Sequence, residues 1–517
     1  MSEHGSPDLA WRTLKNSIYG MIEFAWPILL ALFASPYIVH GLGVDAYGVL
    51  SVVGVTLGFF GFFDLGIGGA ATRHIAVAYE RGDAEEINHV VSTVLAFYLL
   101  VGVLGAAILG ILAQPLSTQI LKIPMGLQHV AQLAFYVGAT GFAVAVVSGS
   151  FNAIPRAIQR YDVAAKLAII TATMNTGLTL LVLHFGGGLG WVVLAGFVMT
   201  LVTAAAGLFI ARRLVPTLEL RVRFDKALFK ELFSFGAYFL ISQLGVLVLY
   251  QADKLLIGSF LGVAAVTYYV VPGNLATKIQ GLVAAATSIV FPVSSTLFES
   301  GRSDAMGRLY REGTRLVMIL ATAVSVPMAV YAGKFLLFWM GQDIASKSSE
   351  VMVLLVATYY VLALSSMAWG IANGSGRAKV NALFTIVIAA ADVVLFLLLV
   401  KPLGLVGAGL AYLISAAVGV PILVSYIERW VIGLSGFEFI KTGWRIWLVG
   451  AVQGVLAWLS LRVVTNLWVT LILMLASFAS FFVLYVAFGY LQQGDRDVIR
   501  MLLRRLRGGA PDPTAEM

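Results

Sequence analysis

The stretch NHVVSTVLAFYLLVGVLGAAILGILA, from Asn88 to Ala113, runs for 26 residues without an Asp, Glu, Lys or Arg. A helix needs about 20 largely apolar residues to cross the hydrocarbon of a bilayer, so this segment is long enough to span. Its apolar residues do not alternate with polar ones, as the strands of a membrane barrel would. Lipid offers no partners for backbone N–H and C=O groups, and a span outside a barrel must therefore be helical.

Outward from this stretch, segments of the same kind recur about fourteen times between Asn16 and Leu491. They lie near 17 to 39, 46 to 72, 88 to 113, 127 to 150, 164 to 184, 188 to 210, 233 to 257, 264 to 297, 316 to 339, 350 to 371, 380 to 400, 404 to 427, 445 to 461 and 466 to 490. The 517 residues are 60% hydrophobic and only 12% charged, which leaves no room for a soluble domain. The expected fold class is an all-α polytopic membrane protein with about 14 transmembrane helices.

Lys and Arg in short loops mark the cytoplasmic side. With fourteen spans both termini share one side, and that side carries 27 of the 34 basic residues, including Arg12, Arg156, Arg213, Arg311, Arg377 and Arg445. The opposite side carries 5 (Lys122, Lys334, Lys347, Lys401 and Arg462), and Lys254 and Lys278 fall inside spans. Both termini are expected in the cytoplasm. The net charge of +8 is mostly this bias and gives no reason to expect nucleic acid as a partner. With 0 Cys the chain has neither disulfides nor thiolate metal ligands. The first apolar stretch is full length with no small-residue cleavage site, so it reads as an uncleaved span. The tail from Gln492 reads as a cytoplasmic anchor whose MLLRRLRGG stretch suits anionic lipid.

The chain also repeats itself. GLGVDAYGVLSVVG follows the first span and FLGVAAVTYYVVPG the seventh, with Leu42-Gly43-Val44 matching Leu261-Gly262-Val263 at an offset of 219 residues. Two short basic turns, Asn152–Arg160 and Ala372–Val380, follow spans 4 and 10 in the same way. Six-span units joined this way have parallel topology, as in transporters built from repeats about an axis along the membrane normal. The expected organisation is a cytoplasmic N-terminus at 1–16, a six-helix bundle at 17–210, a cytoplasmic linker at 211–232 and a second six-helix bundle at 233–427. A cytoplasmic loop at 428–444, two extra helices at 445–490 and a cytoplasmic tail at 491–517 complete it. Two pseudo-symmetric bundles of this kind enclose a central cavity.

Ionisable side chains inside spans are costly and face a polar cavity or a partner. Here they are Glu23, Asp64, Asp253, Lys254, Lys278 and Asp392. Gln243, Tyr250 and Lys254 fall on one face of span 7, while Asp253 points elsewhere. Asn274 and Lys278 are one turn apart on span 8, beyond Pro272 and Gly273. Asn381, Thr385 and Asp392 share a face of span 11, with Asp392 about 18 Å from the cytoplasmic end. The corresponding row on span 5, Thr171, Asn175 and Thr179, carries no charge. Lys278, Asn274, Lys254, Tyr250 and Gln243 are the candidate cavity for an anionic cargo, and Asp392 the candidate site for a coupling H+ or Na+. Asp64, Asp253 and Glu23 are read as structural or gating groups.

The stretches FFDLGIGGAATRHIA (Phe62–Ala76) and ADKLLIGSFLGVAAVTYYVVPGNLATKI (Ala252–Ile279) resemble the Wzx-like polysaccharide transporter family of lipid-linked oligosaccharide flippases. That family lies in the multidrug/oligosaccharidyl-lipid/polysaccharide exporter superfamily. The resemblance runs from about Asn16 to Tyr490. It implies a bacterial inner-membrane protein that moves undecaprenyl diphosphate-linked repeat units to the periplasmic leaflet for O-antigen, capsule or exopolysaccharide assembly. Ion-coupled alternating access is implied as well, without a cofactor, among membrane lipids and with glycan polymerase and chain-length machinery as partners. The family's acidic residue at the end of the DLG stretch falls on Asp64, and its Asp-basic pair on Asp253 and Lys254. The family's rich set of cavity arginines has no counterpart here, which argues against a strongly acidic glycan.

Three rivals stay open. A cation-coupled multidrug exporter shares the fold but favours an anionic cavity. A peptidoglycan-precursor flippase differs only in cargo, and a membrane-embedded glycan polymerase or ligase handles the same lipid. The third needs a sizeable loop with acid/base groups, and the longest extracytoplasmic loops here hold only the isolated Asp343 and Glu350. There is no GxxxxGK[ST] loop, so ATP is not expected to drive the chain. Lys278→Ala is expected to abolish glycan export at normal expression and Lys278→Arg to retain part of it. Full export by Lys278→Ala, measured as surface glycan, would remove Lys278 from the cavity.

Overall fold

The apolar segments read above fall on helices, one of them interrupted, in the structure, a computed structural model that describes the backbone of residues 7–287, 290–464 and 466–490. Side chains are described over these ranges except at 7–21, 23–25 and 234–244, so those of Glu23 and Gln243 lie outside the described residues, as does the tail from Gln492. In chain order the helices are α1 (Pro7–Leu42), α2 (Val44–Phe60), α3 (Ile67–Glu80), α4 (Ala84–Pro115), α5 (Met125–Asn152), α6 (Ile154–Ala157), α7 (Tyr161–His184), α8 (Leu189–Leu214) and α9 (Lys226–Phe260). They continue with α10 (Val263–Thr287), α11 (Val290–Glu299), α12 (Ser303–Val330), α13 (Ala332–Met340), α14 (Gln342–Leu364), α15 (Ser366–Gly374), α16 (Ala378–Ile427), α17 (Glu438–Val463) and α18 (Leu467–Ala487). No strand occurs among the described residues.

Among the described residues, 10 helices are long and apolar enough to cross a membrane, or 11 when α10 and α11, bent by 43°, are taken together as one span. One of the ten contains two spans. At 50 residues α16 would be about 75 Å long, well over twice the hydrocarbon thickness. Gly404 (φ 56°, ψ −133°) breaks it where the sequence separates spans 11 and 12. Trp26–Leu42 of α1 is a shorter apolar helix.

Left-handed residues close the turns at corresponding places of the chain. Gly43 and Gly262 are 219 residues apart, Gly82 and Gly301 also 219, Gln159 and Gly376 217, and Gly186 and Gly404 218. The segment after α2 is a break inside a span. A 3-10 turn at Gly61–Asp64 leads into Leu65 (φ 53°) and Gly66 (φ 72°), after which α3 begins. A left-handed non-glycine residue costs roughly 1–2 kcal/mol, so Leu65 must be held by its surroundings.

The chain packs into two compact units, the first comprising Met1–Asn274 and Arg377–Gly419 and the second Leu275–Gly376 and Val420–Met517. These differ from a division at the 211–232 linker, because α9, the start of α10 and the first part of α16 belong with the first six spans. Close backbone approach explains the difference. A Cβ on Gly48 of α2 would sit 1.9 Å from the Val263 carbonyl oxygen, and one on Gly258 would meet Leu121 and Val52. Thr267 donates to the Val44 carbonyl at 2.6 Å, Lys122 Nζ to that of Phe260 at 2.6 Å, and Lys122 N–H to that of Gly258 at 3.2 Å. Elsewhere in this unit α5 packs against α4 and α8, and α1 against α7. Gly102 lies on Ala143 and Gly105 on Phe142, the small-residue contacts that let membrane helices approach.

In the second unit α12 packs against α14 and α17, α17 against α18, and α11 against α15. Its most buried acid is Glu428, 0% exposed, which accepts from the Tyr310 hydroxyl at 2.6 Å and from the Glu438 and Phe439 amides at 2.9 and 2.8 Å. One carboxylate thus satisfies the opening amides of α17 and fixes the turn that leads into it.

The 215–225 segment of the linker is pinned to α4. Asn88 donates to the Thr217 carbonyl at 2.8 Å and accepts from the Glu219 amide at 2.9 Å. Asp225 caps α9, accepting from the Ala227 and Leu228 amides at 2.7 and 3.1 Å, with His89 Nε2 3.1 Å away. The Leu228 and Ala227 N–H groups, with His89 adding to them, hold the Asp225 carboxyl below its ordinary range. A group depressed in the folded state stabilises above its unfolded value and stops doing so as pH falls through the folded one. Asp225→Asn is expected to lower the melting temperature at neutral pH, with the gap to wild type closing as the buffer falls below about pH 4. A gap that persisted in acid would assign the effect to packing.

Candidate functional site

Two groups of polar side chains inside the first unit stand out. One is charged and centred on α9 and α16; the other is neutral and lines cavities among α2, α5, α7 and α8.

On α9 the side chain of Lys254 turns back along its own helix, donating to the Tyr250 carbonyl at 3.1 Å and to Gln251 Oε1 at 2.8 Å. Its neighbour Asp253 is 5% exposed and accepts the Lys254 amide at 2.8 Å. On α16, Asn381, Thr385 and Asp392 are all buried, Asp392 to 5% exposure. Gly245 of α9 touches Thr385 and Ile386, so the two helices are in direct contact. Asp253 and Asp392, 139 positions apart in the chain, are thus two buried carboxyls of the same compact unit, one on each of these helices. Among the described residues no cluster of three His, Cys, Asp or Glu forms that would hold a metal ion.

Lys278 and Asn274 are one turn apart on α10, the first half-buried and the second exposed. Asn274 belongs to the first compact unit and Lys278 to the second. The charged residues named from the sequence thus separate into Lys254, held by its own helix, the buried carboxyls of Asp253 and Asp392, and Lys278.

The neutral group was visible in the sequence only as the uncharged row on span 5. Thr171 and Asn175 of α7, Ser148 and Asn152 of α5, and Thr200 and Thr203 of α8 line a cavity of about 610 Å³, with Arg156 of α6 also in its wall. An adjoining cavity of about 680 Å³ shares Asn175 and Thr200 and adds Tyr47 and Thr179. Thr171, Thr179, Thr200 and Thr203 each donate to the carbonyl four residues earlier on their own helix, at 2.7 to 3.0 Å. The oxygen lone pairs therefore remain as acceptors. Asn175 is exposed in both walls and supplies an amide with two donors and an acceptor. Ser and Thr that bond back to their own helix give no periodic signal, which is why α8's share of the wall escaped the sequence reading.

Asp64 occupies the break between α2 and α3. It accepts the Tyr98 hydroxyl of α4 and the Gly68 amide, the latter at 3.3 Å. A Cβ on Gly68 would stand 3.2 Å from both the carboxylate and the tyrosine oxygen. Asp64 therefore acts as a cap that holds the left-handed Leu65–Gly66 turn, tied to the next span by Tyr98.

Ten helices long and apolar enough to cross a membrane, among the described residues, make this a multi-spanning membrane protein with polar cavities between its helices. The chain belongs to the family described as polysaccharide biosynthesis protein, whose model matches residues 14–298. A Shigella flexneri protein whose name connects it with O-antigen transport is 24% identical over 410 residues, covering 77% of this chain and 94% of that one. Among solved structures, the lipid II flippase MurJ in an inward closed conformation superposes with a TM-score of 0.71 at 13% identity, covering 94% of this chain and all of that one. An inward-facing multidrug transporter of the MATE family gives 0.61 at 19% identity, covering 79% and 98%. The two structural likenesses establish the shared fold.

The Asp64 bonds to the Gly68 amide and the Tyr98 hydroxyl each contribute about 1 kcal/mol net. Asp64→Ala is therefore expected to lower the melting temperature in detergent, whereas Asp64→Asn, which keeps an acceptor, stays near wild type. If Asp64→Asn destabilised as much as Asp64→Ala, charge and not capping would be what the break requires.

Proposed function

We propose that this protein moves undecaprenyl diphosphate-linked oligosaccharide repeat units from the cytoplasmic to the periplasmic leaflet of a bacterial inner membrane. The cycle is ion-coupled alternating access between two six-span repeats, with both termini in the cytoplasm. The observation that carries this reading is the polar groove of α5, α7 and α8, lined by hydroxyls and amides with Arg156 its one charged wall residue. Sugar hydroxyls are donors and acceptors without charge, and a wall of threonine oxygens with the Asn175 amide matches both roles. An organic cation would gain little from such a wall. The polyprenyl chain stays in lipid, where it costs nothing, while the groove replaces the water that the sugars lose.

Recurrence of the left-handed turns 217 to 219 residues apart supports the two-repeat organisation. Two buried carboxyls on helices that touch, Asp253 on α9 and Asp392 on α16, support coupling to H+ or Na+, since binding or release of one monovalent cation at either changes the charge there. The lysine-centred cavity is retained in reduced form. Lys278 remains the candidate for the diphosphate, whereas Lys254 is engaged by its own helix. No bond is made or broken in this cycle, so the chain acts as a transporter and not as an enzyme. A peptidoglycan-precursor flippase would share every one of these features, and the trapped cargo separates the two.

The deciding experiment is depletion of the protein, followed by probing of lipid-linked oligosaccharide in spheroplasts with an impermeant glycan-modifying reagent. Accumulation on the cytoplasmic face is expected, and the trapped sugar identifies the cargo. Accumulation on the periplasmic face would overturn the proposal in favour of a polymerase or ligase. Asn175→Leu, which replaces the free amide with a hydrocarbon side chain, is expected to reduce flipping at least tenfold without loss of folded protein. Asp392→Asn is expected to leave cargo binding in place and to remove the dependence of transport on the ion gradient. Gradient-dependent flipping by Asp392→Asn would dismiss Asp392 as the coupling site.

A further inference from the structure

The second unit carries a basic cavity outside the features used above. About 430 Å³ in volume, it lies among α12, α17 and the end of α18 and is lined by Arg308, Arg311, Arg315, Lys441 and Arg445, with Glu312 and Glu438. The three arginines of α12 stand at i, i+3 and i+7 and so on one helical face, and Lys441 and Arg445 are one turn apart on α17. Glu438 is engaged by Lys441 at 3.0 Å and by the Ser435 hydroxyl at 2.9 Å. Against these five basic side chains the wall holds two acids, Glu312 and Glu438. The cavity therefore keeps a clear positive excess.

Aromatic rings complete it. Trp444, Tyr485 and Tyr490 share the wall, and the Arg445 guanidinium lies 5.2 Å from the Trp444 ring and 5.4 Å from the Tyr490 ring. A guanidinium positioned by two rings is a preorganised fork for phosphate oxygens. Trp and Tyr at the end of spans mark the level where hydrocarbon gives way to headgroups. Below that level α17 and α18 expose Leu448, Val455, Leu475 and Val483, an apolar surface along which acyl chains can lie. The Glu428 carboxylate, bonded to Tyr310 of α12 and to the first amides of α17, fixes the two basic helix ends relative to each other.

We propose that this cavity is a binding site for the phosphodiester headgroup of an anionic phospholipid, seated from the leaflet that the charge bias assigns to the cytoplasm. A basic pocket between spans at a headgroup level satisfies the charge of such a lipid and places its tails in the bilayer. The volume fits a phosphoglycerol headgroup and is too small for a diphosphate bearing a repeat unit. The site does not depend on the cargo or on ion coupling, and its test reads no transport.

The protein is reconstituted in phosphatidylcholine alone or mixed in equal parts with phosphatidylglycerol. Thermal unfolding is followed by tryptophan fluorescence, and retained lipid is counted by native mass spectrometry. Phosphatidylglycerol is expected to raise the melting temperature and to stay bound in preference to phosphatidylcholine. The Arg308→Gln/Arg311→Gln/Arg445→Gln variant should melt as wild type in phosphatidylcholine and lose the preference, with apparent affinity falling roughly 100-fold for three removed charges. Arg445→Gln alone gives a partial loss and serves if the triple variant does not fold. Lys334→Gln/Lys347→Gln, at the other end of the spans, should keep the full preference. The basic C-terminal tail is common to all variants and cancels in the comparison. The proposal fails if wild type shows no preference, or if the triple and single variants retain it. It also fails if inorganic pyrophosphate in phosphatidylcholine vesicles reproduces the whole shift, which would mark a site for a soluble anion.

Discussion

A backbone amide or carbonyl inside hydrocarbon has no water to bond, and every departure from helix within a span must be satisfied by the protein itself. This constraint organises the molecule. It makes each span a helix, and it locates the polar side chains that hold the breaks. Where α2 gives way to α3, Asp64 takes the Gly68 amide and the Tyr98 hydroxyl. Where the chain enters α17, Glu428 takes two amides and the Tyr310 hydroxyl. These carboxylates lie in the membrane or at its edge for the backbone's sake. Once they are accounted for, few intramembrane charges remain, and those left stand out as candidates for transport.

The helices and their turns were legible in the sequence because hydropathy and glycine report them directly. Asn88–Ala113 falls within α4, and the Leu-Gly-Val pair at 42–44 and 261–263 marks two turns whose glycines both take positive φ. The charged site was only half legible. Helical periodicity put Asp392 on a buried face with Asn381 and Thr385, and the structure buries all three. Periodicity says nothing about which helices meet, so the contact of α9 with α16 at Gly245 and Thr385 was hidden. Lys254 looked available because a sequence does not reveal a side chain that bonds back to Tyr250 and Gln251 of its own turn. The compact units were illegible for the same reason: Gly48 against Val263 is a contact between backbones and leaves no mark in hydropathy.

The neutral groove shows a different limit. A search for function inside a membrane looks first for charge, because charge is expensive there. Uncharged hydroxyls and amides cost little when they bond to their own helix, so they occur in many spans and draw no attention. Asn175 becomes informative only when the wall opposite it proves to be Asn152, Thr200 and Thr203. A glycan carrier needs this inexpensive kind of polarity over a large area, together with very few fixed charges. The sequence is consistent with that economy.

The contact of the Leu42–Gly48 region with the start of α10 has a steric consequence. Leu42, Gly43 and Val44 lead into α2, and at Gly48 a Cβ would stand 1.9 Å from the Val263 carbonyl oxygen and 3.1 Å from the Thr267 hydroxyl. Thr267 also bonds to the Val44 carbonyl, a hydrogen bond contributing about 1 kcal/mol net. A methyl group at position 48 would have to displace backbone and would take that bond with it.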